Sequence, residues 1–287
     1  MLAGGTGTPD EGRRGIGMIV REITCKSILS DTGLPADYAI NCYVGCEHAC
    51  RYCYARYMKR FTGHREPWGT FVDVRTNAPE VLERQIRRKP QGSVMLSSVC
   101  DGWQPLERKY GVSGRCVEML AGAGWHVSIL TKGAIVRRVL PALEGKSADI
   151  GVTVTAFDEK LRQAIEPAAS PTAERFDVLR EAAERGLAVW AFLGPLLPLL
   201  TDTEENLEAL FAAAARLPLT HIHTDRVNFR SGVAWSLKQM VAEHFPELAD
   251  DYLWLGSDGD EDRAYADQLE TRIADIAERH GLSQKLT

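Results

Sequence analysis

The segment CEHACRYC, at residues 46–53, carries three cysteines at the spacing C-x3-C-x2-C, with a tyrosine directly before the last of them. Three thiolates this close in sequence, Cys46, Cys50 and Cys53, can hold one iron–sulfur cluster and leave one of its irons without a protein ligand. An open iron can bind a small molecule, whereas a fully ligated cluster mostly transfers electrons or holds a fold together. The spacing therefore indicates a cluster that takes part in chemistry.

A structural zinc site is the alternative for the same three cysteines, with His48 or His64 as the fourth ligand. Zinc sites of this kind usually pair two C-x2-C knuckles, and the sequence contains no second knuckle. His48 also lies inside the cysteine loop, where it could complete the same tetrahedron only with strain. Cys42 falls within a predicted strand, so we interpret it as a buried small side chain.

The composition is that of an ordinary globular protein. The 287 residues are 45% hydrophobic and 25% charged, with a formal net charge of -5, which suits one large domain or two small ones. The longest apolar run, residues 188–200, is broken by one glycine and two prolines, so no segment is predicted to span a membrane. Seven cysteines without a secretory signal predict a reducing, cytoplasmic location. The glycine-rich residues 1–17 are expected to form a flexible tail, with Met18 as a candidate translation start.

From about residue 38 the sequence alternates between short apolar runs and helical stretches. Six of the runs are predicted strands, at residues 38–44, 93–99, 125–131, 149–155, 187–193 and 220–227. Because these runs are apolar on both faces, the strands are expected to be buried and mostly parallel. Helices are predicted between them, among them one over residues 134–143. The pattern predicts an α/β fold, either an open sheet or a partial barrel.

Polar and metal-binding residues follow the predicted strands at their carboxyl ends, where α/β folds place their ligand sites. The residues at these ends are the cysteine loop, Cys100-Asp101, Thr131-Lys132, Thr153, Thr155 and Gly194-Pro195. Because the carboxyl ends of parallel strands meet at one edge of a sheet, we expect these side chains to share one site. Their co-location predicts a site more strongly than any one motif does.

The cysteine loop resembles the cluster loop of radical S-adenosylmethionine (radical SAM) enzymes. The resemblance rests on NCYVGC at residues 41–46 and YCYAR at residues 52–56, and within the superfamily it is to the spore photoproduct lyase-like branch. It extends over residues 18–245. It implies a partial (β/α)6 barrel with mostly parallel strands, followed by an acidic helical C-terminal extension, residues 246–287, packed on the barrel.

The resemblance also implies the cofactors. A 4Fe–4S cluster held by Cys46, Cys50 and Cys53 would bind the amino and carboxylate groups of S-adenosylmethionine through its fourth iron. One-electron reduction by an external protein of the flavodoxin or ferredoxin type would cleave S-adenosylmethionine. The resulting 5′-deoxyadenosyl radical abstracts a hydrogen atom from the substrate.

The resemblance gives roles to residues at the strand ends, each with a structural alternative. Tyr52 packs either near the adenine or in the core. Asp101 either binds the methionine amino group or caps a turn. Lys132 either pairs with the methionine carboxylate or is solvated at a helix start. The other expected cofactor contacts are Thr153, Thr155, Glu166 and Pro195, with Arg175 completing a Glu-Pro…Arg pattern of the branch.

Two further residues are candidates for a part in catalysis. Tyr54 is expected to reach the cavity. Cys100 resembles the cysteine with which lesion-repairing lyases of this branch return a hydrogen atom to the product radical. It is displaced, however, since the family's cysteine aligns near Ser98. The resemblance thus predicts how a radical is made and leaves the repair reaction open.

Charge gives opposing indications about the substrate. Residues 51–65 carry basic side chains and no carboxylate, so this run either steers a phosphate toward the cluster or is a solvated helix face. Residues 243–262 are rich in Asp and Glu, the wrong sign for gripping nucleic acid. A nucleic-acid lesion lyase is therefore an alternative that we do not favour. The other alternative is a non-enzymatic iron–sulfur or zinc protein for electron transfer or sensing, although the loop offers no clear fourth cysteine.

Overall fold

The computed structural model describes residues 17–229, 232–253 and 260–287 and, for residues 260–263, the backbone alone. Residues 1–16 of the expected tail lie outside the described residues. The strands are β1 (Ile19–Ile23), β2 (Ser30–Asp31), β3 (Tyr38–Ile40), β4 (Tyr43–Val44), β5 (Phe71–Arg75), β6 (Ser93–Leu96), β7 (His126–Thr131), β8 (Ala148–Val154), β9 (Ala188–Leu196) and β10 (Ile222–Arg226).

The main sheet has the strand order β10-β9-β8-β7-β6-β3-β2. All neighbours in it are parallel except β2, which runs antiparallel to β3. Leu96 at the end of β6 pairs with Ile40 on one side and Ile129 on the other. The sheet is open, with β10 and β2 at its edges, as a partial barrel requires. The predicted α/β fold with mostly parallel strands is confirmed.

A smaller sheet, in the order β1-β5-β4, carries the cysteine loop. The single strand predicted over residues 38–44 is wrong, because the chain leaves the main sheet after Ile40 and β4 pairs antiparallel with β5. Asn41 lies where the chain leaves the main sheet, and its hydrogen bonds hold it there. Its carbonyl accepts a hydrogen bond from Arg75 Nη1 at 2.7 Å, and its Oδ1 accepts one from the amide of Val99 at 2.9 Å. The cysteine loop that follows β4 therefore begins at the junction of the two sheets.

Helices connect the parallel strands. The α-helices are α1 (Ala78–Ile86), α2 (Glu107–Tyr110), α3 (Val112–Gly122), α4 (Leu140–Leu143), α5 (Glu159–Ile165), α6 (Thr172–Glu184), α7 (Glu204–Ala214), α8 (Val233–His244) and α9 (Asp260–Arg279). The described part of the chain also contains 3-10 helices at Tyr54–Phe61, Ala134–Arg138, Pro246–Leu248 and Ser283–Lys285. Among the described residues, no helix is both long and apolar enough to cross a membrane.

The helix predicted over residues 134–143 is instead a 3-10 helix followed by the short α4. Pro141 is the second residue of α4, where its missing N–H costs no helical hydrogen bond. In a continuous helix from Ala134 the same proline would stand in the interior, where the lost hydrogen bond and the ring clash disfavour it. The proline therefore divides the segment.

The C-terminal helix α9 is part of the main hydrophobic core. Leu269 and Ile276 are buried there, and α9 packs on α7. Arg272 Nη1 donates a hydrogen bond to the carbonyl of Asp202 at 2.7 Å, which ties the helix to the loop before α7. These contacts join the last described segment to the rest of the fold.

Candidate functional site

A cavity of about 270 Å³ opens at the carboxyl edge of the main sheet. Most of the predicted site residues line it: Cys46, Cys50, Tyr52, Cys53, Tyr54, Cys100, Asp101, Lys132, Thr153 and Pro195. Thr155 and Glu166 are not part of this lining and lie behind Tyr52. Parallel strands end at this edge, which is why residues distant in sequence meet here.

The three loop cysteines are free thiols that line this one cavity. Burial raises the pKa of all three, that of Cys50 to about 12, so each keeps its proton at neutral pH. A metal that bound here would have to displace these protons. Within the described ranges, no three His, Cys, Asp or Glu side chains converge closely enough to hold a single metal ion. Three thiols around a cavity fit a multi-iron cluster better, since its irons each take one thiolate.

The histidines of the zinc alternative are engaged elsewhere. His64 Nε2 lies 2.8 Å from Asp73 Oδ1, and its ring stacks on Phe71 with 4.0 Å between the ring centroids. His48 is buried with its Nδ1 3.4 Å from Asp101 Oδ2, an approach that does not form a hydrogen bond. Neither histidine is positioned with the cysteines around a common metal ion.

The segment after β6 holds the cysteine loop from one side. Gln104 is fully buried, and its Oε1 accepts a hydrogen bond from the amide of Glu47 at 2.8 Å. Its Nε2 donates to the carbonyls of Asp101 at 3.1 Å and Gly45 at 3.4 Å. Glu47 in turn accepts a hydrogen bond from the amide of Leu106. Gln104 therefore supports the loop and does not itself line the cavity.

Hydrogen bonds to α5 and α8 hold the cysteine loop from the opposite side. The amide of Arg51 donates to the carbonyl of Ile165 at 2.8 Å. Arg56 Nη2 donates to the carbonyls of Cys50 and Arg51 and to Ser236 Oγ, the last at 2.6 Å. Arg56, part of the basic run, thus points inward and ties the loop to α8.

Asp101 is a buried carboxylate that joins three elements of the site. Its Oδ1 accepts hydrogen bonds from Thr131 Oγ1 at 2.7 Å and from the amide of Trp103 at 2.8 Å, and its Oδ2 accepts one from the amide of Lys132 at 2.8 Å. Burial alone would raise the pKa of Asp101. The nearby His48 and Lys132, with these donors, outweigh burial and hold the pKa well below its usual range. Asp101 is therefore ionised and fixes the turn that presents Lys132.

Lys132 supplies a cation to the cavity. Its Nζ lies 5.7 Å from the centroid of the Tyr52 ring. Burial opposes the charged form, but the nearby Cys50, Glu166 and Asp101 outweigh it and raise the pKa of Lys132. A charged ammonium in a half-buried cavity is a binding point for a carboxylate or another anion.

Behind the cavity, Tyr52 is held by a buried polar network. Its phenol donates to Glu166 and lies 3.1 Å from Thr155 Oγ1, and that hydroxyl also donates to the carbonyl of Gly194 at 2.6 Å. Glu166 pairs with Arg175, whose Nη1 donates to the carbonyl of Thr153 at 2.8 Å. Thr155 and Glu166 thus hold Tyr52 in place, while Thr153 and Pro195 face the cavity.

Cys100 and Tyr54 lie at one wall of the cavity. Cys100 Sγ is 3.7 Å from Asn41 Oδ1, and burial raises the pKa of this thiol to about 12. Tyr54 is half exposed, and its phenol donates to the carbonyl of Ser98. The thiol therefore stays protonated, next to a tyrosine at the cavity mouth.

The sequence analysis named His48 only as a possible zinc ligand and not as a neighbour of Asp101. Among the lining residues that it did not single out are Asp225, Arg226 and Asn228 at the end of β10. A signal for the last three existed, because the sixth predicted strand ends at residue 227. Polar side chains at every strand end, including the last, are candidates in a parallel sheet.

Comparison with known proteins relates the chain to one family. A family model described as the radical SAM superfamily matches residues 40–214. An uncharacterised protein of Methanocaldococcus jannaschii is 32% identical over 185 residues, which cover 64% of this chain and 70% of that protein. An uncharacterised protein of Mycobacterium tuberculosis is 29% identical over 280 residues, which cover 93% of this chain and 82% of that protein.

Solved structures share the fold. Spore photoproduct lyase complexed with dinucleoside spore photoproduct matches with a TM-score of 0.67 and 16% identity, over 93% of this chain and 82% of that chain. A mutant of the same enzyme with bound AdoMet and dinucleoside spore photoproduct matches with a TM-score of 0.67 and 16% identity, over 93% of this chain and 80% of that chain. At this level of identity the match concerns the fold.

Proposed function

This chain belongs to the radical SAM superfamily, and from that premise we propose that it is an enzyme that holds a 4Fe–4S cluster and S-adenosylmethionine in the cavity. When bound, the reduced cluster would supply the electron that cleaves S-adenosylmethionine to methionine and a 5′-deoxyadenosyl radical, which takes a hydrogen atom from the substrate. The observation that carries the proposal is the placement of three thiols, Cys46, Cys50 and Cys53, in one cavity with the ammonium of Lys132.

The chain's own residues would then have distinct tasks. Cys46, Cys50 and Cys53 would each bind one iron. The cysteine before them, Cys42, is buried in the hydrophobic core with its Sγ 3.8 Å from that of Cys116. Lys132 attracts the methionine carboxylate through a charge-assisted hydrogen bond. The main-chain amide of Lys132 is fixed by Asp101, so the ammonium is presented from a rigid turn.

The aromatic and apolar lining would hold the nucleoside part. The ring of Tyr52 offers a flat apolar surface, and its phenol is already bonded to Glu166 and Thr155. Val99, Leu130 and Phe192 also line the cavity and keep water from this part of it. We therefore assign Tyr52, Thr153 and Pro195 to cofactor contact, and Thr155 and Glu166 to support of Tyr52.

Anaerobic reconstitution with iron and sulfide tests the proposal. We expect a cluster EPR signal that changes on addition of S-adenosylmethionine, and dithionite-dependent formation of 5′-deoxyadenosine, measured by mass spectrometry. The matched control is Cys50→Ala, in which both are lost. A cluster that forms in the wild type, without the EPR change and without 5′-deoxyadenosine, would reject the proposal and favour an electron carrier or sensor.

The substrate class is open to one specific test. The protonated thiol of Cys100 lines the cavity. The second candidate function is therefore a reaction of the lesion-lyase type, in which Cys100 donates a hydrogen atom. Deuterium transfer from candidate substrates into 5′-deoxyadenosine identifies the substrate. With that substrate, an unchanged product and deuterium pattern in Cys100→Ala would exclude the thiol as donor.

We assign the catalytic domain to residues 18–245 and the extension to residues 246–287. The family model lies within the first range. Helix α9 of the extension is anchored in the same core, as Ile276 is fully buried there. The seven free cysteines are consistent with a reducing compartment such as the cytoplasm.

A further inference from the structure

Four exposed basic side chains form a cationic face on the outer side of the cysteine loop: Arg108, Lys109, Arg115 and Arg138. They line one cavity of about 220 Å³ beside α2. Within the described part of the chain, none of the four forms an ion pair with a carboxylate. A group of unpaired cations on one exposed surface has the electrostatic character of a binding site for an acidic partner.

The cationic face is connected directly to the cysteine loop. Leu106, two residues before Arg108, donates its amide to Glu47, the residue after the first loop cysteine. A neighbouring cavity of about 240 Å³ is lined by Arg108, Trp103 and His48. His48 lies between Cys46 and Cys50 in the loop and also lines the cofactor cavity. One buried residue therefore separates the surface beside the cationic face from the site of the cluster.

The charge of this face differs from that of the whole chain. The protein carries a net charge of -5, so its overall charge does not attract an acidic partner. In the lining of the two outer cavities, four exposed cations face two exposed carboxylates, Glu118 and Glu174. A third exposed carboxylate, Glu22, accepts a hydrogen bond from Tyr110 of this lining at 3.0 Å. Glu107, between them, is buried and accepts a hydrogen bond from Tyr43. The local excess of positive charge would therefore orient an acidic partner toward the cysteine loop.

We infer that the cationic face docks a small acidic electron-carrier protein of the flavin or iron–sulfur type, an inference that rests on the proposed function. One electron leaves the reduced carrier, which is oxidised by one electron, and enters the oxidised cluster, which is reduced by one electron. No bond forms or breaks, and no other reactant is needed. The cofactor cavity, on the inner side of the loop, is left free for S-adenosylmethionine and substrate.

Cross-linking tests the docking without catalysis. A zero-length carbodiimide reagent joins lysine amines to carboxylates that touch them, and Lys109 is the one lysine of the cationic face. With the reconstituted protein and oxidised flavodoxin, an acidic flavoprotein, we expect a cross-linked peptide at Lys109 that disappears at high salt. Cross-links confined to other lysines would overturn the inference.

Charge reversal tests the same contact in turnover. For Arg108→Glu/Arg138→Glu, we expect the ratio of flavodoxin-driven to dithionite-driven 5′-deoxyadenosine formation to fall by about tenfold or more. The control Lys146→Glu/Arg216→Glu has the same change in net charge at exposed positions before β8 and β10, and its ratio should stay at the wild-type value.

Two results would overturn the inference and leave the proposed function intact. The first concerns the ratio of flavodoxin-driven to dithionite-driven 5′-deoxyadenosine formation. If this ratio is unchanged in Arg108→Glu/Arg138→Glu but lowered in Arg60→Glu/Arg65→Glu, docking lies on the basic run at residues 51–65. The other is a duplex oligonucleotide, and not flavodoxin, whose binding is lost in Arg108→Glu/Arg138→Glu. Failure of the proposed function is distinguishable, because the wild type then forms no 5′-deoxyadenosine with dithionite, which needs no docking.

Discussion

Arg175 and Glu166 form an ion pair from which water is excluded, with side chains that are 1% and 0% exposed. A buried pair of this kind is costly to break, because the remaining charge has no partner and no solvent. Glu166 of this pair also accepts a hydrogen bond from the phenol of Tyr52. The position of an aromatic ring in the cofactor cavity thus depends on a salt bridge that lies outside the cavity.

The first prediction concerns pH. Burial raises the pKa of Glu166, but Arg175, Lys132 and the Tyr52 phenol outweigh it and lower the pKa below its ordinary value of 4.5. A lowered folded-state pKa means that the unfolded chain binds the proton more readily, so this contribution to stability is complete above pH 4.5 and is lost as pH falls through the folded-state pKa. We expect Glu166→Gln to flatten the dependence of the free energy of unfolding on pH below about pH 5.

Urea denaturation at a series of pH values, followed by tryptophan fluorescence, measures this effect. The charge-matched control is Glu174→Gln, at an exposed position in α6. An acid dependence of Glu166→Gln equal to that of the wild type would contradict the prediction.

The second prediction separates the ring of Tyr52 from its hydroxyl. Tyr52→Phe keeps the aromatic surface but leaves Glu166 and Thr155 without the phenol, which should lower the free energy of unfolding by about 1–3 kcal/mol. Tyr52→Leu should also weaken S-adenosylmethionine binding, measured by calorimetry on the reconstituted protein. If Tyr52→Phe abolished binding without loss of stability, the hydroxyl would be a cofactor contact.

The third prediction distinguishes the cluster ligands from other buried cysteines. Cys46→Ala, Cys50→Ala and Cys53→Ala should each lose most of the iron and sulfide bound after reconstitution, because each thiolate holds one iron. Cys116→Ala is the control. Its thiol is buried, lies 3.8 Å from that of Cys42 and is outside the cavity lining, so its iron content should match the wild type. Iron loss in the control alone would contradict the assignment.

The fourth prediction concerns Lys132. Lys132→Met removes the cation but keeps most of the side-chain volume, so S-adenosylmethionine should bind about 10- to 100-fold more weakly. Lys160→Met, at an exposed position in α5, is the matched control and should bind normally. Calorimetry with the reconstituted proteins gives both dissociation constants, and equal values would remove Lys132 from the cofactor site.

The fifth prediction compares two glycines. A Cβ at Gly133 would lie 2.0 Å from the carbonyl oxygen of Trp103, so Gly133→Ala must displace backbone beside Lys132 and should destabilise the protein by roughly 1–3 kcal/mol. Gly122, at the end of α3, has open space around its Cβ position. Gly122→Ala should therefore stabilise by about 0.5–1 kcal/mol. Thermal unfolding measures both changes, and the same sign for both would contradict the comparison.

The sequence predicted those features that depend on local pattern. Six apolar runs correspond to the six consecutive parallel strands β3 and β6–β10, because burial on both faces leaves a signal in each run. The break at Asn41 left no such signal. It depends on Arg75 and Val99, which lie 34 and 58 positions away in the sequence.

The same limit applies within the site. Thr153 and Thr155 look equivalent in the sequence. They lie two residues apart in one predicted strand, so both side chains are expected on the same face of the sheet. In the structure, Thr153 lines the cavity, whereas Thr155 lies beyond the end of β8 and bonds to Tyr52 and Gly194. Partners supplied by other segments decide which of two similar residues faces the ligand.

The double bracing of the cysteine loop has a thermodynamic consequence. The amides of Glu47 and Arg51 and the carbonyl of Cys50 already have protein partners. If the loop binds iron as proposed, little conformational entropy would be lost on binding. The free energy of chelation would then appear as affinity and would not be consumed in ordering the loop. Zinc fingers lie at the opposite extreme, since they fold only with their metal. We therefore expect a loop built in this way to accept the proposed cluster without refolding.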